Sequence, residues 1–383
     1  MTARAEPIPR TTDRAEASLV TRLVHSREEI APIWQRLESR LHCTGLANSW
    51  AWTDCWLSAF GATIPHWFVV AEREGQAIGV ALLTRGRKQR RGPLPVRTVH
   101  IGTAGEEPGQ GVWVEYNRLL VAPGDRAAFL SLLLAAPGVK PWTADVLALD
   151  GFDPDELPAN IRAGIREREE TCYVTKLDRS PTVLESFDGD TRRKLRKNVK
   201  RFGAAFGDLA TEWIESRERA REVMRELVEH HQARWTSAGK PGAFATNRFQ
   251  QFHDALVDRL LPDKRIVLAR VTAGAELVGI FYGFTEGDVI YHYQWGLPRF
   301  DDNSLSPGFV TGFLVMEEAR ERGFTELNWL AGDSRYKRDL SNATRSLVWG
   351  EKSLSPWSSA LTGLISLYEM LPDKQKQMIR GQR

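Results

Sequence analysis

Cysteine is scarce in this sequence. Only Cys43, Cys55 and Cys172 occur among 383 residues, and no two of them form a C-x-x-C pair. This count and spacing exclude a disulfide framework and a structural zinc site. The sequence therefore predicts a protein of the reducing cytoplasm with no metal in its site.

Long apolar runs are missing as well. The run at 129–136 stops after eight residues, before Pro137, whereas a membrane-spanning helix needs about 18 or more. The first ten residues carry charges and prolines but no apolar segment of the kind found in secretory signal peptides. We expect no signal peptide and no transmembrane segment, which leaves a soluble protein or one in peripheral contact with a membrane.

A strong excess of charge of one sign is also absent. Lys and Arg total 52 and Asp and Glu total 49, which leaves a formal net charge of +3. Because the chain is so close to neutral, a nucleic-acid or other anionic partner requires a local basic patch. The 42% of hydrophobic residues excludes a wholly disordered chain, and the length fits about two or three domains.

A weak internal repeat organises what is present. Residues 69–80 align with 267–280 as a hairpin, and 142–150 align with 324–333 as a later strand, in the same order. The repeat predicts an α/β protein made of two duplicated units. The predicted divisions are a disordered lead-in, an N-terminal unit, a C-terminal unit that holds the site, and a C-terminal helical extension, at 1–16, 17–178, 190–352 and 353–383.

The first candidate site is Ser306-Pro307-Gly308-Phe309, which opens an apolar helix after a predicted strand. Ser caps helices well, Pro fits the first helical position, and Gly lets another molecule approach the backbone closely. Free backbone N–H groups at such a helix start bind pyrophosphate or carboxylate. Plain helix capping is the alternative interpretation.

A second candidate follows the strand predicted at 326–329. Asp333, Tyr336, Lys337 and Arg338 place a carboxylate, a phenol and two cations at the carboxyl end of a central strand. That position suits acid–base chemistry or the binding of an anion. The alternative is a solvated loop in which Asp333 caps the next helical turn.

The third candidate is a basic helix. Residues 190–202 contain seven basic residues against one acidic residue, and Leu195 and Phe202 are spaced to pack one face. The cations around the rest of the helix, among them Arg193 and Lys197, suit phosphate on a nucleic acid, a lipid head group or a phosphorylated substrate. An ordinary solvated face is the alternative.

Other residues carry weaker signals. Tyr291 and Tyr293 alternate along a predicted strand and form either core or one wall of a substrate cleft. His230 and His231 point about 100° apart on a helix and lack a carboxylate cluster, so we expect no metal there. The sequence contains no P-loop, G-x-G-x-x-G or G-x-S-x-G motif, and so gives no support for nucleotide hydrolysis, dinucleotide binding or α/β-hydrolase chemistry.

Together these motifs resemble the GNAT-fold N-acyltransferases of the CelD/BcsL type, which are related to the FemAB-like transferases. The resemblance covers roughly 18–352 and rests on 48–56, on the basic helix, on Ser306-Pro307-Gly308 and, most specifically, on the Gly-Asp-x-x-Tyr-Lys pattern at 332–337. It implies tandem GNAT-like units, each a mostly antiparallel mixed sheet flanked by helices. The activated acyl donor would lie against the helix that Ser306 opens.

The resemblance also implies a function. It suggests an N-acyltransferase of cell-envelope or polysaccharide metabolism that moves an acyl group from acyl-CoA, such as acetyl-CoA, to an amine by direct attack. The acceptor would be a small molecule, a polysaccharide or a peptide, and no cofactor would stay bound. Asp333 is the expected base and Tyr336 the proton donor. The expected substrate-binding residues are Lys337, Arg338, Arg193, Lys197, Tyr291 and Tyr293.

One feature of the resemblance is missing. The Arg/Gln-x-x-Gly-x-Gly/Ala pyrophosphate loop usual in simple GNAT enzymes does not occur at 298–308. Two alternatives therefore stay open. The donor is an aminoacyl-tRNA that uses the basic helix, or the protein is catalytically inactive and binds an anionic partner.

Overall fold

The computed structural model describes residues 19–41, 45–86, 89–91, 94–107, 111–135, 144–360 and 363. The predicted lead-in at 1–16 and most of the predicted helical extension at 353–383 lie outside these residues. Of the extension, residues 356–360 are helical.

The first half of the chain contains the following elements. The strands are β1 (Val20–Val24), β2 (His66–Arg73), β3 (Gln76–Arg85), β4 (Gln89–Arg91), β5 (Leu94–Val96), β6 (Thr98–Ile101), β7 (Leu120–Val121), β8 (Val146–Phe152) and β9 (Arg166–Lys176). The helices are α1 (Arg27–Leu41), α2 (Trp50–Phe60), α3 (Arg126–Ala135) and α4 (Ala159–Arg162).

The second half repeats the pattern with longer helices. The strands are β10 (Leu209–Trp213), β11 (Ile266–Ala273), β12 (Glu276–Glu286), β13 (Val289–Gly296), β14 (Glu326–Ala331) and β15 (Ala343–Ser353). The helices are α5 (Gly189–Phe206), α6 (Arg217–Ser237), α7 (Asn247–Leu260), α8 (Pro307–Glu321) and α9 (Arg335–Asp339).

Side-chain caps fix where several helices begin. The Asp188 carboxylate accepts the Thr191 amide at 2.7 Å at the start of α5, and Ser216 accepts the Arg219 amide at 3.3 Å at the start of α6. Such caps satisfy amides that have no partner inside the helix. The basic helix α5 then buries Leu195 and Phe202, as its spacing predicts.

One sheet crosses the molecule. Its order is β1-β2-β3-β6-β8-β15-β9-β14-β13-β12-β11-β10, with β7 paired to β3. From either edge inwards, three antiparallel pairings are followed by one parallel pairing, β6 with β8 in one half and β13 with β14 in the other. This duplicated mixed sheet flanked by helices confirms the predicted fold class.

The centre of the sheet was not predicted. β15 lies between β8 and β9, and β9 also pairs with β14, all antiparallel. Each half therefore contributes a strand to the middle of the shared sheet. The sequence does not reveal this arrangement because the residues of one strand do not specify its partner. The predicted division into 17–178 and 190–352 stays a prediction, since the sheet crosses it.

Alternating side chains put different helices on the two faces. Phe68 and Val70 of β2 join a core shared with α1, α2, α6 and α7, whereas Val69 and Ala71 join the core under α3. The shared core links the halves directly, for Trp52 and Phe252 stack edge to face with ring centroids 5.0 Å apart. Burying a large apolar side chain of this kind stabilises the fold by about 2–3 kcal/mol. On the second half, α5 and α8 cover the opposite face.

Candidate active site

An open cleft of about 1050 Å³ lies at the end of β13, where α5, α6, α8 and α9 approach one another. All three sites predicted from the sequence contribute to its wall. The contributing predicted residues are Ser306, Pro307, Gly308, Phe309, Tyr336 and Lys197. The fold thus brings together motifs that lie more than a hundred residues apart in the chain.

The cleft is strongly cationic. Two carboxylates, Asp302 and Asp339, face six cationic side chains, which are Lys194, Lys197, Arg201, Arg234, Arg299 and Arg335. Asp339 lies 3.2 Å from the Lys194 ammonium and 3.8 Å from the Arg335 guanidinium. Within the described part of the chain, Lys197, Arg234 and Arg299 form no ion pair. Cations that are not neutralised by neighbours attract phosphate.

The start of α8 offers fewer free backbone amides than the sequence predicts. The Ser306 side chain makes no capping hydrogen bond, and its carbonyl oxygen accepts the amides of Phe309 and Val310 at 3.1 and 3.2 Å. Pro307 has no N–H group. Among the described residues, the amides of Ser306 and Gly308 have no acceptor. The expected cluster of free amides is therefore reduced to two donors, and side-chain cations dominate the cleft.

Asp333 lies outside the cleft lining. Its carboxylate accepts the Tyr173 hydroxyl at 2.9 Å and pairs with the Arg338 guanidinium. These hydrogen bonds hold the pKa of Asp333 below its ordinary value. A carboxylate whose pKa is lowered is a weaker proton acceptor. The roles predicted for Asp333 and Arg338 stay predictions, and the structure ties the two residues to each other.

Lys337 holds the backbone of β14. Its ammonium donates to the carbonyl oxygens of Leu330 and Ala331 at 3.3 and 2.6 Å. Burial lowers the pKa of Lys337. Leu330 has a positive φ of 63°, an unfavourable conformation for a branched side chain. Lys337 therefore stabilises a kink at the end of the strand, and its predicted anion-binding role remains untested.

The remaining predicted residues lie in three different places. Tyr336 lines the cleft beside Trp295, with ring centroids 6.1 Å apart, and burial raises the pKa of its phenol, so it is a neutral hydroxyl. Arg193 points into solvent, 74% exposed, and pairs with Asp190 at 2.9 Å. Tyr291 and Tyr293 line a different cavity.

This second cavity is small and lined mainly by aromatic rings. It measures about 30 Å³ and lies between the first half of the chain and β12, β13 and β14. Six of its lining side chains are aromatic, namely Trp52, Trp113, Tyr116, Phe284, Tyr291 and Tyr293. Its two carboxylates are those of Glu115 and Glu286. The charged side chains of the small cavity are therefore acidic, whereas most of those in the cleft are cationic.

Glu115 combines a hydrogen bond to the end of β14 with a raised pKa. Its Oε2 accepts the Ala331 amide at 2.7 Å, which ties the first half of the chain to the kinked end of β14. Burial raises the pKa of Glu115 to about 7, and the nearby Lys337 ammonium partly offsets this rise. A carboxylate with such a pKa exchanges protons readily at neutral pH.

Both cavities lie where β13 and β14 separate. The two strands pair in parallel only from Val289 to Tyr291 and from Glu326 to Asn328. Beyond this point Tyr293 and Leu330 line the small cavity, and Trp295 lines the cleft. The strand β13 therefore contributes residues to both cavities.

Sequence reasoning missed Glu115, Arg234 and Arg299. Glu115 stands in an irregular segment, and its partner Ala331 is 216 residues away, so no local pattern marks it. Arg234 lies in the last turn of α6, where a cation is ordinary. The aromatic neighbours Trp113 and Tyr116 were the one local hint of a cavity.

Comparisons with known proteins show which families and folds parts of the chain are similar to. Residues 189–338 match the family model described as an acetyltransferase (GNAT) domain. No curated protein matches the sequence. The matched residues include α5, α6, β13, α8 and most of α9, which line the cationic cleft.

Two solved structures share the fold over most of the chain. One is the C-terminal domain (DUF2156) of a protein from Agrobacterium fabrum described as a lysylphosphatidylglycerol synthetase, with 14% identity, a TM-score of 0.52, and coverage of 89% of this chain and 96% of that one. The other is a tandem GNAT protein from the clavulanic acid biosynthesis pathway, with 15% identity, a TM-score of 0.50, and coverage of 88% and 99%. At these identities the likeness concerns the fold alone.

Two further properties of the described residues bear on the class of protein. None of their helices has the length and apolar character needed to span a membrane. They also hold no group of three or more His, Cys, Asp or Glu side chains arranged for a metal ion.

Proposed function

We propose that this protein is an N-acyltransferase that takes its acyl group from a phosphate-bearing donor, acyl-CoA, and passes it to an amine. The observation that carries the proposal is the cleft with six cations and two carboxylates beside the diverging strands β13 and β14. The GNAT domain match over the same residues supports it. The CelD/BcsL type and a cytoplasmic role in cell-envelope or polysaccharide metabolism belong to this proposal.

The cleft suits the charged part of such a donor. Lys197, Arg234 and Arg299 would pair with the pyrophosphate and the ribose phosphate, and the Gly308 amide would add a hydrogen bond. Charge-assisted hydrogen bonds to phosphate are roughly twice as strong as neutral ones. These contacts would replace the missing glycine-rich loop, because side chains from α5, α6 and the segment after β13 would provide what a loop backbone otherwise provides.

The reaction needs no covalent enzyme intermediate. The protonated amine first loses one proton to a protein base, and the neutral nitrogen then attacks the thioester carbonyl. The N–C bond forms, the C–S bond breaks, and the thiolate leaves with the bonding electron pair. A second proton from the nitrogen ends on the thiolate sulfur, and Tyr336, a neutral phenol at the cleft, is placed to relay it.

Charge reversal in the cleft tests the donor. Lys197→Glu should weaken binding of acetyl-CoA, measured by isothermal titration calorimetry, by at least tenfold, about 1.4 kcal/mol. Arg196→Glu is the matched control, because Arg196 lies on the same helix, is exposed and does not line the cleft. Equal affinities for the two variants and the wild type would contradict the assignment of the cleft to the donor.

Aminoacyl-tRNA remains a second candidate donor, favoured by one observation. Lys194, Lys197 and Arg201 of the basic helix line the same cleft as the start of α8, so the helix lies on the side where a polyanion would need it. Binding of tRNA lowered steeply by salt, without binding of acetyl-CoA, would identify this donor. Binding of either ligand without acyl transfer to any amine would identify a catalytically inactive binding protein.

A further inference from the structure

The small cavity at Glu115 has the composition of a site for a cation. Six aromatic side chains and two carboxylates line it, and no Lys, Arg or His occurs among its described lining residues. Aromatic ring faces and carboxylates both attract ammonium groups, by about 0.5–2 kcal/mol for each ring contact. The same surroundings repel a carboxylate or a phosphate. The cavity therefore selects the opposite charge from the cleft.

Its size limits what can enter. A volume of about 30 Å³ holds about two water-sized groups. An ammonium group and its first methylene fill that space, and a quaternary ammonium does not fit. Trp113 lines the cavity and is 67% exposed, so the cavity reaches the surface at this side chain. The rest of an amine would extend past Trp113 into solvent.

The two carboxylates differ in what they are free to do. Glu286 lies 3.5 Å from the Arg118 guanidinium, which already partly neutralises it. Glu115 Oε2 accepts the Ala331 amide, and its second oxygen accepts no hydrogen bond from the described residues. The charged groups that act on Glu115 are Lys337 and Glu170, of opposite sign. Glu115 is therefore the carboxylate available to a ligand.

Backbone strain marks the same place. Tyr116 and Leu330 both line the cavity, and both have positive φ angles, of 56° and 63°. Side chains adopt this conformation at a cost of about 1–3 kcal/mol, and such residues cluster at functional sites. Asn328 holds both residues, since its amide donates to the Tyr116 hydroxyl at 2.6 Å and its side-chain oxygen accepts the Leu330 amide at 2.9 Å. Asn328 therefore holds both residues with positive φ angles, Tyr116 and Leu330, in place at the cavity wall.

We propose that this cavity is the acceptor site, that it binds the protonated end of a compact, unbranched primary amine, and that Glu115 accepts the proton that makes the nitrogen nucleophilic. The inference rests on the proposed function, to which it adds the class of acceptor and the base. The position of the cavity supports this proposal. Tyr293 and Leu330 line it where β13 and β14 diverge, and the acyl group would arrive from the cleft between these two strands.

Amine binding tests the cavity without any donor. n-Butylammonium chloride, 1-butanol and sodium butyrate would be titrated into the full chain at pH 8 by isothermal titration calorimetry. We expect butylammonium to bind with a millimolar Kd, and the alcohol and the carboxylate to bind at least tenfold more weakly. Glu115→Gln, which keeps an acceptor for the Ala331 amide, and Trp113→Ala, at an exposed position, should each weaken butylammonium binding at least fivefold.

Matched controls separate the cavity from general effects. Glu74→Gln removes the same charge at an exposed turn, and Trp357→Ala removes another exposed indole; both should bind butylammonium as the wild type does. The inference is overturned if 1-butanol binds as tightly as butylammonium, or if Glu115→Gln and Trp113→Ala leave the affinity unchanged.

The experiments distinguish a failure of the proposed function from a failure of this inference. Selective butylammonium binding without any acetyl-CoA binding or acyl transfer would keep the ammonium site and remove the acyltransferase. Acyl transfer to amines that is unchanged in Glu115→Gln and Trp113→Ala would keep the acyltransferase and remove this cavity as its acceptor site.

Discussion

Two cavities lie beside the diverging ends of β13 and β14, and they differ in size, lining and charge. The cleft beside α8 measures about 1050 Å³ and has six lining cations against two carboxylates. The cavity beside Glu115 measures about 30 Å³ and has two lining carboxylates among six aromatic rings. Opposite charge on the two sides would direct an anionic donor and a cationic acceptor to different entrances before either makes specific contacts.

The comparison also separates two kinds of carboxylate. Asp333 matches the sequence pattern, but it is exposed, and its Oδ1 already accepts hydrogen bonds from Tyr173 and Arg338. Glu115 has no sequence signature, yet it is half-buried, and desolvation raises its pKa to about 7. The two pKa shifts follow burial and hydrogen-bond partners, which the motif does not specify.

The largest effect should come from the carboxylate of the small cavity. Glu115→Gln should lower turnover by about 10² or more at pH 8, because the amide cannot accept the amine proton. In the wild type the rate should rise about tenfold per pH unit below pH 7 and level off above it, as Glu115 loses its proton. Thiol release with acetyl-CoA and butylamine measures both. A wild-type rate in the variant would exclude Glu115 as the base.

A smaller effect, on the affinity for acetyl-CoA, should come from a larger side chain at Gly308, where α8 begins beside the cleft. A Cβ atom at Gly308 would lie 3.1 Å from Leu297 Cδ1, the flexible end of a side chain, so Gly308→Val should fold normally. The added methyl groups should weaken acetyl-CoA binding at least tenfold without changing the affinity for butylammonium. Calorimetry with both ligands checks this, and loss of both affinities together with a lower melting temperature would show a folding defect instead.

The Glu115 carboxylate should also lower the stability of the folded protein above neutral pH. The folded-state pKa of Glu115, about 7, lies above the ordinary value of 4.5. Its contribution is therefore fully favourable below pH 4.5 and is lost as the pH rises through 7. Glu115→Gln should melt higher than the wild type at pH 8, by about 2 °C for each kcal/mol relieved. The difference should shrink towards zero at pH 4.5; a difference independent of pH would contradict the assigned ionisation.

The smallest effect on turnover should come from the motif carboxylate. Asp333→Asn keeps the shape and loses the pairing with Arg338 at an exposed site, where ion pairs contribute little. We expect turnover within about threefold of the wild type in the same thiol-release assay. A loss of about 10², which the sequence pattern predicts for a catalytic base, would return the role to Asp333.

Much of the cleft could be predicted from sequence because its parts are local. The buried face of α5 follows from the spacing of Leu195 and Phe202, and the start of α8 follows from Ser306-Pro307-Gly308. Helix boundaries and amphipathic faces depend on neighbours within about four residues. That these two helices share a cleft with α6 and α9 depends on packing, which local patterns do not encode.

The small cavity could not be predicted because no local pattern specifies it. Glu115 and Ala331 meet only after β9 and β15 take their places at the centre of the sheet. The contacts of Lys337 are local, since its ammonium donates to the carbonyl oxygens of Leu330 and Ala331, seven and six residues away. The ligand contact that its place in the motif suggests stays a prediction.

The sorting of two substrates by two oppositely charged cavities is tested most directly by crossed binding titrations. Acetyl-CoA and butylammonium would each be titrated by calorimetry into wild type, Lys197→Glu and Glu115→Gln under one buffer condition. We predict that Lys197→Glu loses affinity only for acetyl-CoA and that Glu115→Gln loses affinity only for butylammonium. Either variant weakening both ligands equally, or neither variant weakening its own ligand, would contradict the separation of donor and acceptor sites.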